Sequence, residues 1–254
     1  MTLIASYITK YGIIQASDSN LTNNTGNAGF GQKVFPIPHL NSSLAYSGIY
    51  TINGQEVDNW INGFISGSFF TVGSIEEFTS QLTDRLNNEM RDHELSEITI
   101  IHIAGYSNIE NNSHAEHWHI SNTGLLEDGS YSQAEANFHY SNDFNSRLNI
   151  NQRALLTQFD NNPLNHQYYI NGFPPGRISS VVIKRTIDNA LNYIWEQPNW
   201  QFNRPNNIFE FANIVRLYFD FVIRLFLMSN YNALYIGGEI QTHLIPVPQD
   251  LLKE

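Results

Sequence analysis

The chain contains no cysteine, which excludes disulfides, thiolate nucleophiles and zinc–thiolate sites. Charge is also scarce: Asp, Glu, Lys and Arg together make 15% of the sequence, and Asn fills many places where Lys or Glu would be expected. Cations are the scarcer sign, 13 Lys and Arg against 24 Asp and Glu, for a net charge of -11. That balance argues against nucleic acid and anionic membrane surfaces as partners. The opening residues lack a basic segment followed by a long apolar run, so they do not read as a secretory signal, and a cytoplasmic setting is expected. The longest apolar stretch, 208–228, is interrupted by Arg216, Asp220 and Arg224 at every fourth residue. Such a charged stripe marks an amphipathic core helix rather than a membrane span. The Gly172-Phe173-Pro174-Pro175-Gly176 segment lacks the glycine spacing and lysine of a phosphate-binding loop and reads as a turn entering a helix.

What is present is enough for a folded core. With 254 residues, 41% hydrophobic and 13% aromatic, the composition is that of a globular protein, read here as a single domain over 1–254. Leu3 to Ile8 and Gly12 to Ser17 are β-rich runs joined at Tyr11-Gly12, which predicts a hairpin. Asn20 to Gly31 reads as a loop, and Lys33 to Ile37 and Ser43 to Ser47 as two more strands, so four antiparallel strands are expected in succession. Val57, Trp60, Ile61 and Phe64 share one helical face within a helix expected over 54–64. Ser74 starts a second helix with Glu76 and Glu77 in its first turn and Phe78, Leu82, Leu86 and Met90 as its buried stripe. Strands are expected over 98–104 and 115–120, helices over 178–195 and 208–228, and a last strand over 239–247 after Gly237-Gly238. Residues 121–170, polar and Asn-rich, show at most a strand near 136–140. This order suits two antiparallel sheets packed face to face with helices outside, an αββα sandwich of the α+β class.

The chemistry concentrates at the start of the chain. Removal of Met1 would make Thr2 the N-terminus and set its hydroxyl beside a free α-amine, whose ordinary pKa is near ~8. An amine so placed can serve as general base for its own side chain. Asp18 and Lys33 supply an acid and a cation, and Ala45-Tyr46-Ser47-Gly48 a small-residue segment. His114, His117 and His119 gather on and beside one predicted strand; without a defined acidic or fourth ligand they read as hydrogen-bonded or exposed histidines at a hairpin edge, not a zinc site. Trp195, Trp200 and Phe202 read as core or an oligomer contact.

Thr2, Gly12-Ile13-Ile14, Ala16-Ser17-Asp18-Ser19, Lys33-Val34 and Ser47-Gly48 resemble the opening of the proteasome β-subunit family and its bacterial two-component relatives, which are N-terminal-nucleophile hydrolases. The Thr2–Asp18 spacing fits that family without a gap, and Asp18–Lys33 differs by about one loop residue. The resemblance implies the αββα fold, a peptide or amide substrate, a homo-oligomer and no cofactor. It casts Thr2 as nucleophile, Lys33 as the neighbouring cation that assists proton transfer, and Asp18 as the partner that orients Lys33. Backbone N–H groups around Ser47 would hold the oxyanion, a contribution of ~3 kcal/mol per donor in other enzymes. The chain departs from the family pattern before Gly237-Gly238, where Ala233 and Ile236 stand at the positions of an accessory Asp and Ser. A further accessory Ser has only Ser141 as a counterpart. Those departures carry the alternative: a catalytically inactive relative serving as an assembly or scaffold protein.

Overall fold

The structure is a computed structural model and describes residues 2–23, 26–69, 71–109, 112–124, 132–142, 167–171, 180–197, 199, 203–228 and 236–251. The chain opens with β1 (Ile4–Thr9) and β2 (Gly12–Asp18), paired antiparallel with Thr9 opposite Gly12. Thr9 closes this hairpin: its hydroxyl donates to the Gly12 carbonyl at 2.8 Å and accepts from Tyr11 N–H at 3.0 Å. Gly12 has φ +138°, and a Cβ there would lie 2.3 Å from the Ile245 carbonyl oxygen, so both conformation and space require glycine.

The next segment corrects the sequence expectation. Where a loop is expected, β3 (Asn20–Asn23) and β4 (Gly26–Phe30) pair antiparallel. Asn and Gly have low strand propensity, which hides such a ribbon in sequence. It stays outside both main sheets and is tied at its base by Asn20 N–H to Gly237 O and Gly31 N–H to Ser19 O. The strands β5 (Val34–Ile37) and β6 (Ser42–Ser47) follow, separated by a 3-10 turn over Pro38–Leu40.

A small ribbon, β7 (Thr51–Ile52) and β8 (Gln55–Glu56), leads into α1 (Val57–Ser68), which begins later and runs longer than expected. Ser74 caps α2 (Ile75–Glu89), accepting Glu77 N–H at 3.1 Å, as its sequence predicts. After the short α3 (Asp92–Leu95) come β9 (Ile100–Ile109) and β10 (Asn112–Ser121), paired antiparallel and each, at ten residues, longer than its predicted strand. In the region of weakest sequence signal the described residues include β11 (His139–Ser141) and β12 (Gln167–Asn171). The chain continues through α4 (Ser180–Glu196), α5 (Ile208–Met228) and β13 (Ile240–Pro246). Among the described residues no helix is long and apolar enough to cross a membrane.

The first four predicted strands do not form one sheet. One sheet has the order β12-β1-β2-β13 and the other β11-β10-β9-β6-β5, with antiparallel pairing throughout. Alternation along each strand divides its side chains between two environments. Leu3, Ala5, Tyr7, Ile14 and Ala16 join Phe211, Val215, Tyr218 and Phe219 of α5 in one apolar cluster. Phe35, Leu44, Tyr46, Ile101, Ile103, Trp118 and Ile120 join Trp60, Ile61, Phe78, Leu82 and Leu86 of α1 and α2 in another. The opposite faces meet each other. Ile4, Val34, Ala45 and Ile100 pack at one end, and Ile8, Ile13, Ala104, Tyr106, Ala115 and Ile245 at the other. Between them Gln15 accepts from Ser43 Oγ at 2.9 Å and donates to Ser6 Oγ at 3.3 Å and His102 O at 3.2 Å, and all four residues are buried. The molecule is thus a mixed α and β fold with several antiparallel sheets, whose two largest sheets are joined by a polar seam.

His117 belongs to that interior. Its ring is fully buried and meets His102 edge-on at 5.0 Å between centroids, with His119 at 5.7 Å from His102. The expectation of an exposed position is therefore corrected for His117, whose side of β10 points inward, while His114 and His119 are half-buried. Among the described residues no cluster of three or more His, Asp or Glu is arranged to hold a metal ion. Trp195 packs beside the α5 cluster, whereas Trp200, Phe202, Ala233 and the 172–176 turn lie outside the described residues.

Candidate active site

Thr2 precedes β1, Asp18 ends β2, Lys33 precedes β5 and Ser47 ends β6. Because β1 and β2 belong to one sheet and β5 and β6 to the other, these four ends converge only when the sheets face each other. Lys33 Nζ donates to Thr2 Oγ1 at 2.6 Å and lies 3.8 Å from Asp18 Oδ1. It also donates to the main-chain carbonyl of Asn20. Ser47 Oγ donates to the Thr2 carbonyl at 3.3 Å. The four residues anticipated from sequence are therefore neighbours, although their positions span 45 residues of chain.

The Asp18 carboxylate organises the main chain around Thr2. Its Oδ1 accepts Leu3 N–H at 2.8 Å; its Oδ2 accepts Gly237 N–H at 3.0 Å and Asn20 N–H at 3.3 Å. One carboxylate so fastens the N-terminal strand, the base of the β3–β4 hairpin and the segment before β13. Ser19 repeats the link, its Oγ accepting Glu239 N–H at 2.8 Å. Gly238 sits against that hydroxyl with φ +78°, and a Cβ there would lie 2.4 Å from Ser19 Oγ. Gly48, next to Ser47, is equally confined: a Cβ would lie 2.4 Å from Thr99 Oγ1.

The site is almost wholly desolvated. Thr2 is 3% exposed, Lys33 2% and Asp18 0%. Burial pulls the Lys33 ammonium down from its usual value to about 8, with Asp18 opposing. Burial likewise pushes the Asp18 carboxyl up, opposed by Lys33 and by the N–H groups of Gly237, Leu3 and Asn20. A lysine near 8 still carries its proton for most molecules at neutral pH yet gives it up readily. That is the property a proton-transfer partner 2.6 Å from a hydroxyl needs.

Three contributors carried no sequence signal of their own. The Asn20 carbonyl is a main-chain group in a segment read as loop. The Gly237 N–H belongs to a motif noted in sequence, but its role as a donor to Asp18 depends on folding. Gln241 accepts Lys33 N–H at 2.8 Å and Val34 N–H at 3.2 Å and donates to the Gly31 carbonyl at 2.7 Å. Ile236 is 2% exposed within the α5 cluster, and Ser141 is exposed on β11 opposite His119.

No family model matches the sequence. No curated protein matches it either. Among solved structures the fold is similar to the Anbu (Gly-1) mutant from Hyphomicrobium sp. strain MC1, at 15% identity over 97% of this chain and 82% of that one, with a TM-score of 0.50. Anbu is a proteasome-like protein related to the N-terminal-nucleophile hydrolases. At that identity the likeness concerns the fold alone.

Proposed function

We propose that this chain is a proteasome-like threonine hydrolase of the N-terminal-nucleophile class, cleaving peptide or amide bonds through Thr2 once Met1 is removed. The observation that carries the reading is the buried Thr2–Lys33–Asp18 constellation, with Lys33 Nζ 2.6 Å from Thr2 Oγ1. Under this reading the chain is one domain with αββα layering, and it works as a homo-oligomer in the cytoplasm.

In the proposed reaction Thr2 Oγ attacks the carbonyl carbon of the scissile amide while its proton passes to the freed α-amine. Lys33, held by Asp18, favours the neutral amine by its positive charge and lends its proton network to the transfer. Backbone N–H groups around Ser47 hold the oxyanion. Collapse breaks the C–N bond, the leaving amine takes the proton, and an ester to Thr2 remains. Water, deprotonated by the same amine, then hydrolyses the ester and regenerates Thr2.

One observation favours a second reading, that of an inactive relative acting as an assembly or scaffold protein. Ile236 occupies an accessory polar position of the family and is packed into the α5 core, where it offers no side-chain hydrogen bond. Incubation of the untagged protein with a panel of fluorogenic peptide amides separates the two. Cleavage that is lost in Thr2→Ala and blocked by a β-lactone supports the hydrolase; a folded oligomer that cleaves none of the panel and takes up no β-lactone supports the scaffold. Light scattering at micromolar concentration tests the oligomer, and a clean monomer would contradict it.

A further inference from the structure

We propose that Gln241 is a positioning residue for Lys33: its side-chain amide clamps the main chain on both sides of that lysine and so fixes where the ammonium sits relative to Thr2. The inference rests on the hydrolase reading for its catalytic meaning, but the clamp itself is a separate structural claim.

The geometry is unusual for an edge strand. Gln241 lies on β13, opposite Ser17 of β2, in the sheet that carries Thr2 and Asp18. Lys33 belongs to the other sheet, just before its edge strand β5. Strands β13 and β5 are in contact but do not pair as a ladder, so the main-chain groups of 31–34 cannot be satisfied by strand pairing across that gap. Gln241 replaces the missing ladder with one amide. Its oxygen accepts the N–H groups of Lys33 and Val34, and its nitrogen donates to the Gly31 carbonyl. The Lys33 carbonyl is held from the other side by Tyr46 N–H at 2.9 Å. With both peptide groups of Lys33 fixed, its four-carbon chain starts from a defined point and direction. The ammonium can then meet Thr2 Oγ1, the Asn20 carbonyl and Asp18 together. The half-buried amide makes three hydrogen bonds, which lets it cap otherwise unpaired main-chain groups.

The neighbouring residue supplies a matched control. Thr242 points to the opposite face of the same strand, where its hydroxyl accepts from Arg216 Nη2 at 2.8 Å. A change there weakens β13 without touching the 31–34 segment.

The chain has four lysines, so lysine labelled with carbon-13 at Cε gives a simple NMR titration. In the full chain Lys33 should titrate near 8. Gln241→Leu removes all three bonds, frees the 31–34 segment and lets water reach the ammonium, so the Lys33 titration should move up toward the ordinary lysine value. Thr242→Ala should leave it in place. The same variants are then treated with a β-lactone. Gln241→Leu should slow Thr2 labelling, by up to about 10²-fold if the reacting group is displaced by about 1 Å. Gln241→Glu keeps the acceptor for both N–H groups and should retain more labelling than Gln241→Leu; Gln241→Asn, one methylene short, should fall between wild type and Leu. An unmoved Lys33 titration in Gln241→Leu and Gln241→Asn, both folded, would overturn the clamp. A displaced titration in protein whose Thr2 never labels would uphold the clamp and count against the hydrolase reading.

Discussion

The two faces of each main sheet are built from different chemistry. The helix-facing layers are apolar: Ile14 and Phe211 in one, Phe78 and Ile103 in the other, are completely buried. The seam between the sheets is polar along its middle, with Ser6, Gln15, Ser43, His102 and His117 all at 0% exposure. Burial of a large apolar side chain contributes about 1.5–3 kcal/mol, whereas a hydrogen bond adds only about 1 kcal/mol net. The clusters between sheets and helices therefore provide most of the stability. The seam specifies register and brings Thr2, Asp18, Lys33 and Ser47 to one end. A purely apolar seam would tolerate sliding, whereas Gln15, with three partners, accepts one alignment of the sheets.

The largest effect belongs to Lys33→Met, which removes the ammonium beside Thr2. Labelling of Thr2 by a β-lactone should fall by about 10³-fold, with the fold retained by circular dichroism. Loss of labelling through unfolding would instead assign Lys33 to stability. Next, Ile14→Ala on the helix-facing side of β2 should cost about 2–5 kcal/mol in urea unfolding, with little change in the labelling rate of the folded protein.

Its neighbour on the opposite face gives the direct contrast. Gln15→Ala removes the acceptor of Ser43 Oγ and the donor to Ser6 Oγ and the His102 carbonyl. Ser6 keeps its contact with His102 Nδ1 at 3.3 Å, so the main cost is about 1–3 kcal/mol for the Ser43 hydroxyl. The substitution should also slow labelling, because it loosens the alignment of the two sheets. Equal labelling in Ile14→Ala and Gln15→Ala would remove the distinction between layers and seam.

The smallest effect is in pH. Between about pH 8 and 10.5 the unfolded chain keeps a proton on Lys33 that the folded chain has released. Raising pH through that window therefore favours the folded state through this residue. The Tm of wild type should gain relative to Lys33→Met over that interval, and parallel curves would contradict a desolvated lysine.

The same contrast explains what the sequence discloses. Outer-layer positions announce themselves: Phe78, Leu82 and Leu86 recur at helical spacing, and Ser74 with Glu77 marks the start of α2. The seam is harder to read. Ser6 and Gln15 stand between apolar neighbours, and Ser43 and His117 lie in polar stretches; both patterns normally signal a solvent-facing side. These residues are buried because a second sheet covers them, a fact no single strand contains. For that reason the histidines were expected at an edge. The β3–β4 hairpin was hidden by its Asn and Gly content, since the pairing rests on main-chain groups. Thr2, Asp18, Lys33 and Ser47 were legible together through the family resemblance, and the structure places them within contact. Gln241 and the Gly237 N–H were not, because their partners lie more than two hundred residues away.

The most direct test of the central claim is the intact mass of untagged protein before and after exposure to a β-lactone. Met1 should be absent beforehand, and one adduct should form, localised to Thr2 by fragmentation and missing from Thr2→Ala. Quantitative retention of Met1, with no adduct on Thr2, would contradict the claim.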